Sequence, residues 1–315
     1  MIDPLAHAPD RVTICEVGPR DGLQNEAVPI SADDKVHYCD LLSDAGVPIL
    51  EATSFVSPKA VPQMADADDV FRRIRKDPGR IYLVLCPNER GLDRAVAAGV
   101  RAIGVFTAAS EAFAQANIRM SVDESVATFA GVVQRAKADG MWVRAAVSTA
   151  FGCPFQGDVP VAAVVRVCER LLALGVDELS VADTIGVATP NQVVEVVGAL
   201  ASAVPPERLG LHFHDTRGTA MANTLAALEL GVRIFDTSSG GLGGCPFAPG
   251  ATGNCATEDL VYMLHKMGIA TGIDLDKLRA ASRFIQGKLG RPLASRAYTA
   301  LEAADARAAR IAVAG

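Results

Sequence analysis

Glu178-Leu179-Ser180-Val181-Ala182-Asp183-Thr184 is a short, mostly apolar run. A stretch of helical period at 191–204 follows, and then a second run, Leu209-Gly210-Leu211-His212-Phe213-His214-Asp215-Thr216. Two runs of strand length joined by one helix read as a βαβ unit, whose crossover pairs its strands in parallel. Similar β-branched runs recur on either side at 12–17, 47–55, 81–86, 102–107, 143–150 and 234–239. Helical stretches lie between them at 34–45, 121–139 and 161–175. Ser31 and Asp33 are placed to cap the first helix, Gly46 and Gly175 to end helices, and Pro160 and Pro190 to sit at first turns. Eight strands alternating with helices predict an α/β fold, a (β/α)8 TIM barrel. The runner-up, an open doubly wound sheet, lacks its usual support, because no G-x-G-x-x-G follows the first strand. Helical patterns at 257–267, 275–289 and 295–311 exceed one barrel unit. They predict a single domain over 1–315, with the barrel at about 12–268 and a C-terminal helical extension at about 269–315.

Composition narrows the function classes. The 315 residues are 50% hydrophobic and 21% charged, which excludes a disordered chain. A net charge of −6 gives no footprint for nucleic acid or an anionic membrane surface. Arg, Asp, Gly or Pro interrupts every apolar run before bilayer-spanning length. The N-terminal residues have neither a signal core nor transit-peptide character. The seven cysteines, an odd number spread along the chain, read as reduced thiols. The expected setting is the cytoplasm.

In a barrel the catalytic groups stand at the C-terminal ends of the strands. The first strand runs into Gly18-Pro19-Arg20-Asp21-Gly22-Leu23-Gln24-Asn25-Glu26. The second carries Glu51 inside an apolar run, the sixth ends Ala182-Asp183-Thr184-Ile185-Gly186, and the eighth leads into a glycine-rich loop at 240–254 that holds Cys245 and Asn254. His212 and His214, two of only five histidines, are two residues apart on one strand, so their imidazoles point to the same side. A pair of satisfied core histidines would share that spacing, but neutral imidazoles side by side also suit a divalent transition metal. Barrel closure makes the first and last strands neighbours, bringing Asp21 and Asn254 to the histidines. That mixed nitrogen and oxygen set suits Mg²⁺ or Mn²⁺, with Co²⁺ or Zn²⁺ as alternatives. For Asp183 alone, capping a helix is as good a reading as catalysis. A thiol beside a cation, as Cys245 would be, can serve as acid or base. Cys153 repeats the Gly-Cys-Pro-Phe tetrapeptide without the glycine-rich surroundings and reads as structural. Cys15, Cys39, Cys86, Cys168 and Cys255 have no polar company in sequence and read as small core residues.

Taken together, these stretches resemble the 3-hydroxy-3-methylglutaryl-CoA lyase family of metal-dependent TIM barrels. The likeness rests on residues 16–26, on Thr53-Ser54-Phe55-Val56-Ser57-Pro58-Lys59, on Asp183-Thr184-Ile185-Gly186, on residues 212–216 and on the Cys245 loop. It implies Asp21, His212, His214 and Asn254 as metal ligands and Arg20 against the substrate oxygen that gains charge. It further implies Glu51 orienting Arg20, Gln24 at the substrate, Asp183 and His212 near the reacting hydroxyl, and Cys245 as the catalytic thiol. The implied reaction is divalent-metal-assisted cleavage of 3-hydroxy-3-methylglutaryl-CoA to acetoacetate and acetyl-CoA, with an acyl-CoA as partner and a homo-oligomer, dimer or tetramer, as assembly. Leucine degradation and ketone-body formation are the implied setting. Ala27, Ala60 and Ala182 stand where members carry lysine, tryptophan and glycine.

Three other readings compete. A lyase for citramalyl-CoA or a longer branched hydroxyglutaryl-CoA would share the motifs. A Claisen-type condensing enzyme would share Arg-Asp-Gly and H-x-H but lack the Gly-Gly-Cys-Pro loop. A non-haem iron oxygenase would use two histidines and a carboxylate, on an antiparallel scaffold that the helical spacing contradicts.

Overall fold

The computed structural model describes residues 8–244 and 253–314. Each of the eight apolar runs is a strand: β1 (Thr13–Glu16), β2 (Ile49–Ser54), β3 (Ile81–Leu85), β4 (Ala102–Ala108), β5 (Trp142–Ser148), β6 (Glu178–Asp183), β7 (Leu209–Phe213) and β8 (Ile234–Thr237). They follow one another around a closed barrel. β1 pairs in parallel with β8, Thr13 level with Ile234 and Glu16 with Thr237, and this seam closes the ring.

Around the sheet run α1 (Ala32–Asp44), α2 (Ala67–Arg73), α3 (Glu89–Ala97), α4 (Glu111–Ile118), α5 (Val122–Ala138), α6 (Val161–Ala173), α7 (Pro190–Leu200), α8 (Ala220–Glu229) and α9 (Thr257–Lys266). The helical stretches named from the sequence do not include α2, α3, α4 or α8, which are only 7 to 10 residues long. α10 (Leu275–Leu289) lies against α1 and α9, and α11 (Arg296–Ala314) lies against α9. Among the described residues, no helix is long and apolar enough to cross a membrane.

Parallel strands bury both faces, so each run is apolar on both phases. Ile14, Leu50, Val84, Ile103, Val143, Leu211 and Phe235 fill the layer between sheet and helices, none more than 2% exposed. Each such side chain stabilises the fold by about 1.5–3 kcal/mol on burial. α5 shows how local chemistry sets one boundary of this layer. The Ser121 hydroxyl accepts the Glu124 amide at 3.1 Å, and the Glu124 carboxylate accepts the Ser121 amide at 2.8 Å. From that start Val122, Val126, Phe129 and Val133 recur on the buried face.

The inward phase is different. Cys15, Val17, Ile49, Leu83 and Ala102 form a small apolar cluster of their own. Much of the rest is polar, where barrels usually stack branched aliphatics. Above this interior, residues Gly18–Gly22 wrap into one wide π-helical turn, with the amides of Arg20, Asp21 and Gly22 all donating to the Val17 carbonyl at 3.2, 2.8 and 3.2 Å. Wide turns of this type concentrate at functional sites. A Cβ on Gly22 would stand 2.9 Å from the Leu242 Cβ, so only glycine lets this turn approach the segment after β8.

Candidate active site

A cavity of about 430 Å³ opens at the C-terminal ends of the strands. Arg20, Asp21, Gln24, Glu51, His212 and His214 all line it. Strand phase accounts for the histidines, because His212 and His214 share the inward side of β7 and its extension. Asn254 arrives by a different route. The chain returning at residues 253–255 pairs antiparallel with the end of β7, the Cys255 amide donating to the Phe213 carbonyl at 2.9 Å and the Asp215 amide to the Gly253 carbonyl at 3.0 Å. That bridge sets Asn254 opposite His214.

One ligand atom each from Asp21, His212 and His214 lies within 4.8 Å of the other two. The two imidazole Nε2 atoms are 3.1 Å apart. Two nitrogens bound at about 2.1 Å to one ion at a right angle also stand about 3 Å apart, so the pair is spaced as a chelate. Burial and the adjacent His212 push His214 down to about 3, which leaves it a neutral imidazole able to give its lone pair. Burial opposes the charge on Asp21, but Arg20 and the facing histidines hold its carboxyl below the ordinary range. Asn254 donates its amide nitrogen to Asp21 Oδ2 and to the Leu242 carbonyl, both at 2.9 Å. Its Oδ1 is buried and has no hydrogen-bond partner among the described residues. Turning that amide over brings the oxygen to the Asp21 side at the expense of both hydrogen bonds. A carboxylate, two imidazoles and an orphaned amide oxygen fit a divalent cation.

Arg20 sits between two carboxylates, with Nη1 2.8 Å from Asp21 Oδ1 and Nη2 2.7 Å from Glu51 Oε2. Its Nε is buried without a partner among the described residues, as is Gln24 Oε1. A donor and an acceptor left unpaired at such depth cost free energy unless a ligand meets them. Burial raises the Glu51 carboxyl, and Arg20 acts against that rise. Asn25 ties the β1 turn to the start of the next loop, donating to the Asp21 and Gly244 carbonyls at 3.2 Å each.

Asp183 stands apart from this group. Ala182 and Thr184 line the cavity, while Asp183 between them does not. Its two oxygens accept the amides of Val187 and Ala188 at 2.9 Å each, so the carboxylate braces the loop after β6. Cys245 lies outside the described residues. Cys153 is buried, with its sulfur 2.9 Å from Ser110 Oγ. Cys15, expected to lack polar company, has Arg144 Nη1 3.5 Å from its sulfur. Sequence reading passed over Arg144, Ser180 and Asp236, which also line the cavity. The signal that marked Glu51, a charge inside an apolar strand, marks Arg144 and Asp236 equally.

A family profile described as HMGL-like matches residues 11–285. The chain belongs to that family. It is 51% identical over 288 residues to the mitochondrial hydroxymethylglutaryl-CoA lyase of Rattus norvegicus, an alignment covering 91% of this chain and 89% of that protein. The crystal structure of hydroxymethylglutaryl-CoA lyase from Pseudomonas aeruginosa superposes with a TM-score of 0.93 at 47% identity, over 94% of this chain and 99% of the other. An HMG-CoA lyase from Acinetobacter baumannii, solved with coenzyme A and 3-methylmalate, gives 0.88 at 43% identity, over 91% and 94%. This HMGL-like barrel therefore aligns with those lyases along nearly its whole length.

Proposed function

We propose that the protein cleaves 3-hydroxy-3-methylglutaryl-CoA to acetoacetate and acetyl-CoA with the help of a divalent cation. The observation that carries this reading is the meeting of Asp21, His212 and His214 beside the Arg20–Glu51 pair in one cavity. It is supported by the lyase names of relatives that share about half of the residues, and by the coenzyme A held in one solved relative. One continuous unit carries the site, and the packing of α10 on α1 and α9 favours reading the barrel and its C-terminal helices as one domain.

Cleavage removes the proton of the tertiary hydroxyl, breaks the C2–C3 bond, leaves its electron pair on the thioester as an enolate, and delivers a proton to C2. Asp21, His212, His214 and Asn254 would hold Mg²⁺ or Mn²⁺, with Co²⁺ or Zn²⁺ as alternatives; the ion supplies Lewis-acid acidification of the substrate hydroxyl. Arg20 donates to the thioester oxygen as it gains charge. Glu51 keeps the guanidinium aimed, so little reorganisation is needed when the enolate forms. Gln24 orients the substrate. The Cys245 thiol exchanges a proton with the reacting centre. Asp183 contributes by holding the loop after β6.

The deciding experiment incubates purified protein with 3-hydroxy-3-methylglutaryl-CoA and Mg²⁺ or Mn²⁺, with and without chelator, and measures acetoacetate. Cation-dependent acetoacetate is the expected result. Turnover of citramalyl-CoA or a longer hydroxyglutaryl-CoA ester alone would overturn the substrate assignment. Cys245→Ala should lower kcat by at least ~10²-fold while Mn²⁺ still binds. An unchanged kcat would exclude the thiol from proton transfer.

A further inference from the structure

Below the histidine pair, the barrel interior holds a buried charge network. Arg144 on β5 reaches across the axis, with Nε 2.6 Å from Glu178 Oε1 and Nη2 2.6 Å from Asp236 Oδ1. Space for it is made on β7, where a Cβ on Gly210 would lie 2.7 Å from Arg144 Nη2. Asp236 is level with His212 across the β7–β8 pairing, so both side chains enter the interior at the same height. The second Asp236 oxygen, Oδ2, accepts Ser180 Oγ at 2.7 Å and lies 3.2 Å from His212 Nδ1.

Charge determines what this contact must be. A carboxylate facing a permanently charged guanidinium is ionised, and an ionised carboxylate only accepts hydrogen bonds. His212 must therefore carry its proton on Nδ1 and donate it to Asp236. A neutral ring with that proton has a bare Nε2, the atom that faces His214 at 3.1 Å. His214 has no such support, for its Nδ1 is buried without a partner among the described residues.

We propose that Asp236, itself held by Arg144 and Ser180, is a positioning residue that fixes the tautomer and ring orientation of His212 and so presents a bare Nε2 to the Asp21–His214 site. The inference rests on the proposed metal reading for its consequence, but not for its geometry. Outer partners of this kind commonly change metal affinity 10–100-fold when they are removed.

The test uses the full-length, metal-free protein labelled with ¹⁵N-histidine, with the His212 ring assigned by its loss in His212→Gln. Long-range ¹H–¹⁵N correlation at pH 8.5 should show His212 protonated on Nδ1 and bare on Nε2. A proton on Nε2 with a bare Nδ1 overturns the proposal, whether or not any variant folds. In Asp236→Asn the preference for the Nδ1–H tautomer should be lost, and Mn²⁺ affinity, read from the electron paramagnetic resonance of free Mn²⁺, should fall ~10–100-fold. A folded Asp236→Asn protein with the wild-type tautomer and affinity overturns the proposal as well. Wild-type protein that binds no Mn²⁺ would instead sink the metal reading and leave the tautomer result standing.

Discussion

Two buried polar clusters sit within a few residues of each other on the chain and are built to opposite rules. At the β1–β8 seam, Glu16 accepts the amides of Gly18 at 2.9 Å and Ser239 at 2.8 Å, and the Thr257 hydroxyl at 2.5 Å. Glu258 accepts the Gly240 amide at 2.8 Å and is hydrogen-bonded to the Ser282 hydroxyl. Both carboxylates are 0% exposed, and every oxygen of theirs has a partner. One turn along, the cluster of Arg20, Gln24, His214 and Asn254 leaves Nε, Oε1, Nδ1 and Oδ1 buried without partners among the described residues. In the first cluster each carboxylate oxygen finds its hydrogen bond within the fold. The second leaves its hydrogen bonds open, which in a stable protein marks a place where something else is received.

The two clusters should therefore respond to substitution along different axes. The largest effect is expected at the open one. Arg20→Met should lower kcat by ~10²–10³, about 3–4 kcal/mol of transition-state stabilisation, and cost some melting temperature through the unpaired Glu51, with kcat the dominant loss. Steady-state kinetics alongside thermal unfolding checks this. A large loss of melting temperature with kcat intact would reverse the assignment.

A smaller effect, on stability and with a definite sign, is expected at the closed cluster. Burial raises Glu16 to about 8 and Glu258 to about 7. The folded protein thus keeps protons that an unfolded chain has released above about pH 4.5, so these groups make stability fall as pH rises from about 5 toward 8. Glu16→Gln cannot titrate and should flatten the decline of melting temperature across that window, with a change in kcat far smaller than that of Arg20→Met. An identical pH slope in the two proteins would show that Glu16 keeps its charge in the fold.

The smallest effect is expected away from both clusters. Ser121→Ala removes the cap of α5 and should cost about 1 kcal/mol of stability in denaturant unfolding, leaving kcat unchanged. A change in kcat there would mean that the site responds to general loosening of the barrel, and the contrast between the two clusters would lose its force.

Much of the site was legible because strand chemistry is local. A charge inside an apolar run, as at Glu51, has to be explained wherever the run ends up. Two histidines at i and i+2 share a face in any strand. Asp183 shows the limit of such reading, because both phases of a parallel strand are apolar and nothing local says which one looks inward. Only the placed strand shows Asp183 turned to the amides of Val187 and Ala188 while its neighbours face the cavity. Arg144 and Asp236 were missed for a related reason. Each is an isolated charge in its own run, and their meaning lies in a contact spanning 92 residues of sequence.

The chain by itself determined the alternation of strands and helices, the capped starts of the helices, and which residue types stand at the strand ends, since all of these follow from backbone sterics and short-range periodicity. The folded barrel set the register of the seam between β1 and β8, the spacing at which Asp21 and Asn254 stand to the histidines, the outward turn of Asp183, and the contact of Asp236 with His212. These depend on strand register and on a closed ring of eight, and no window of sequence settles them.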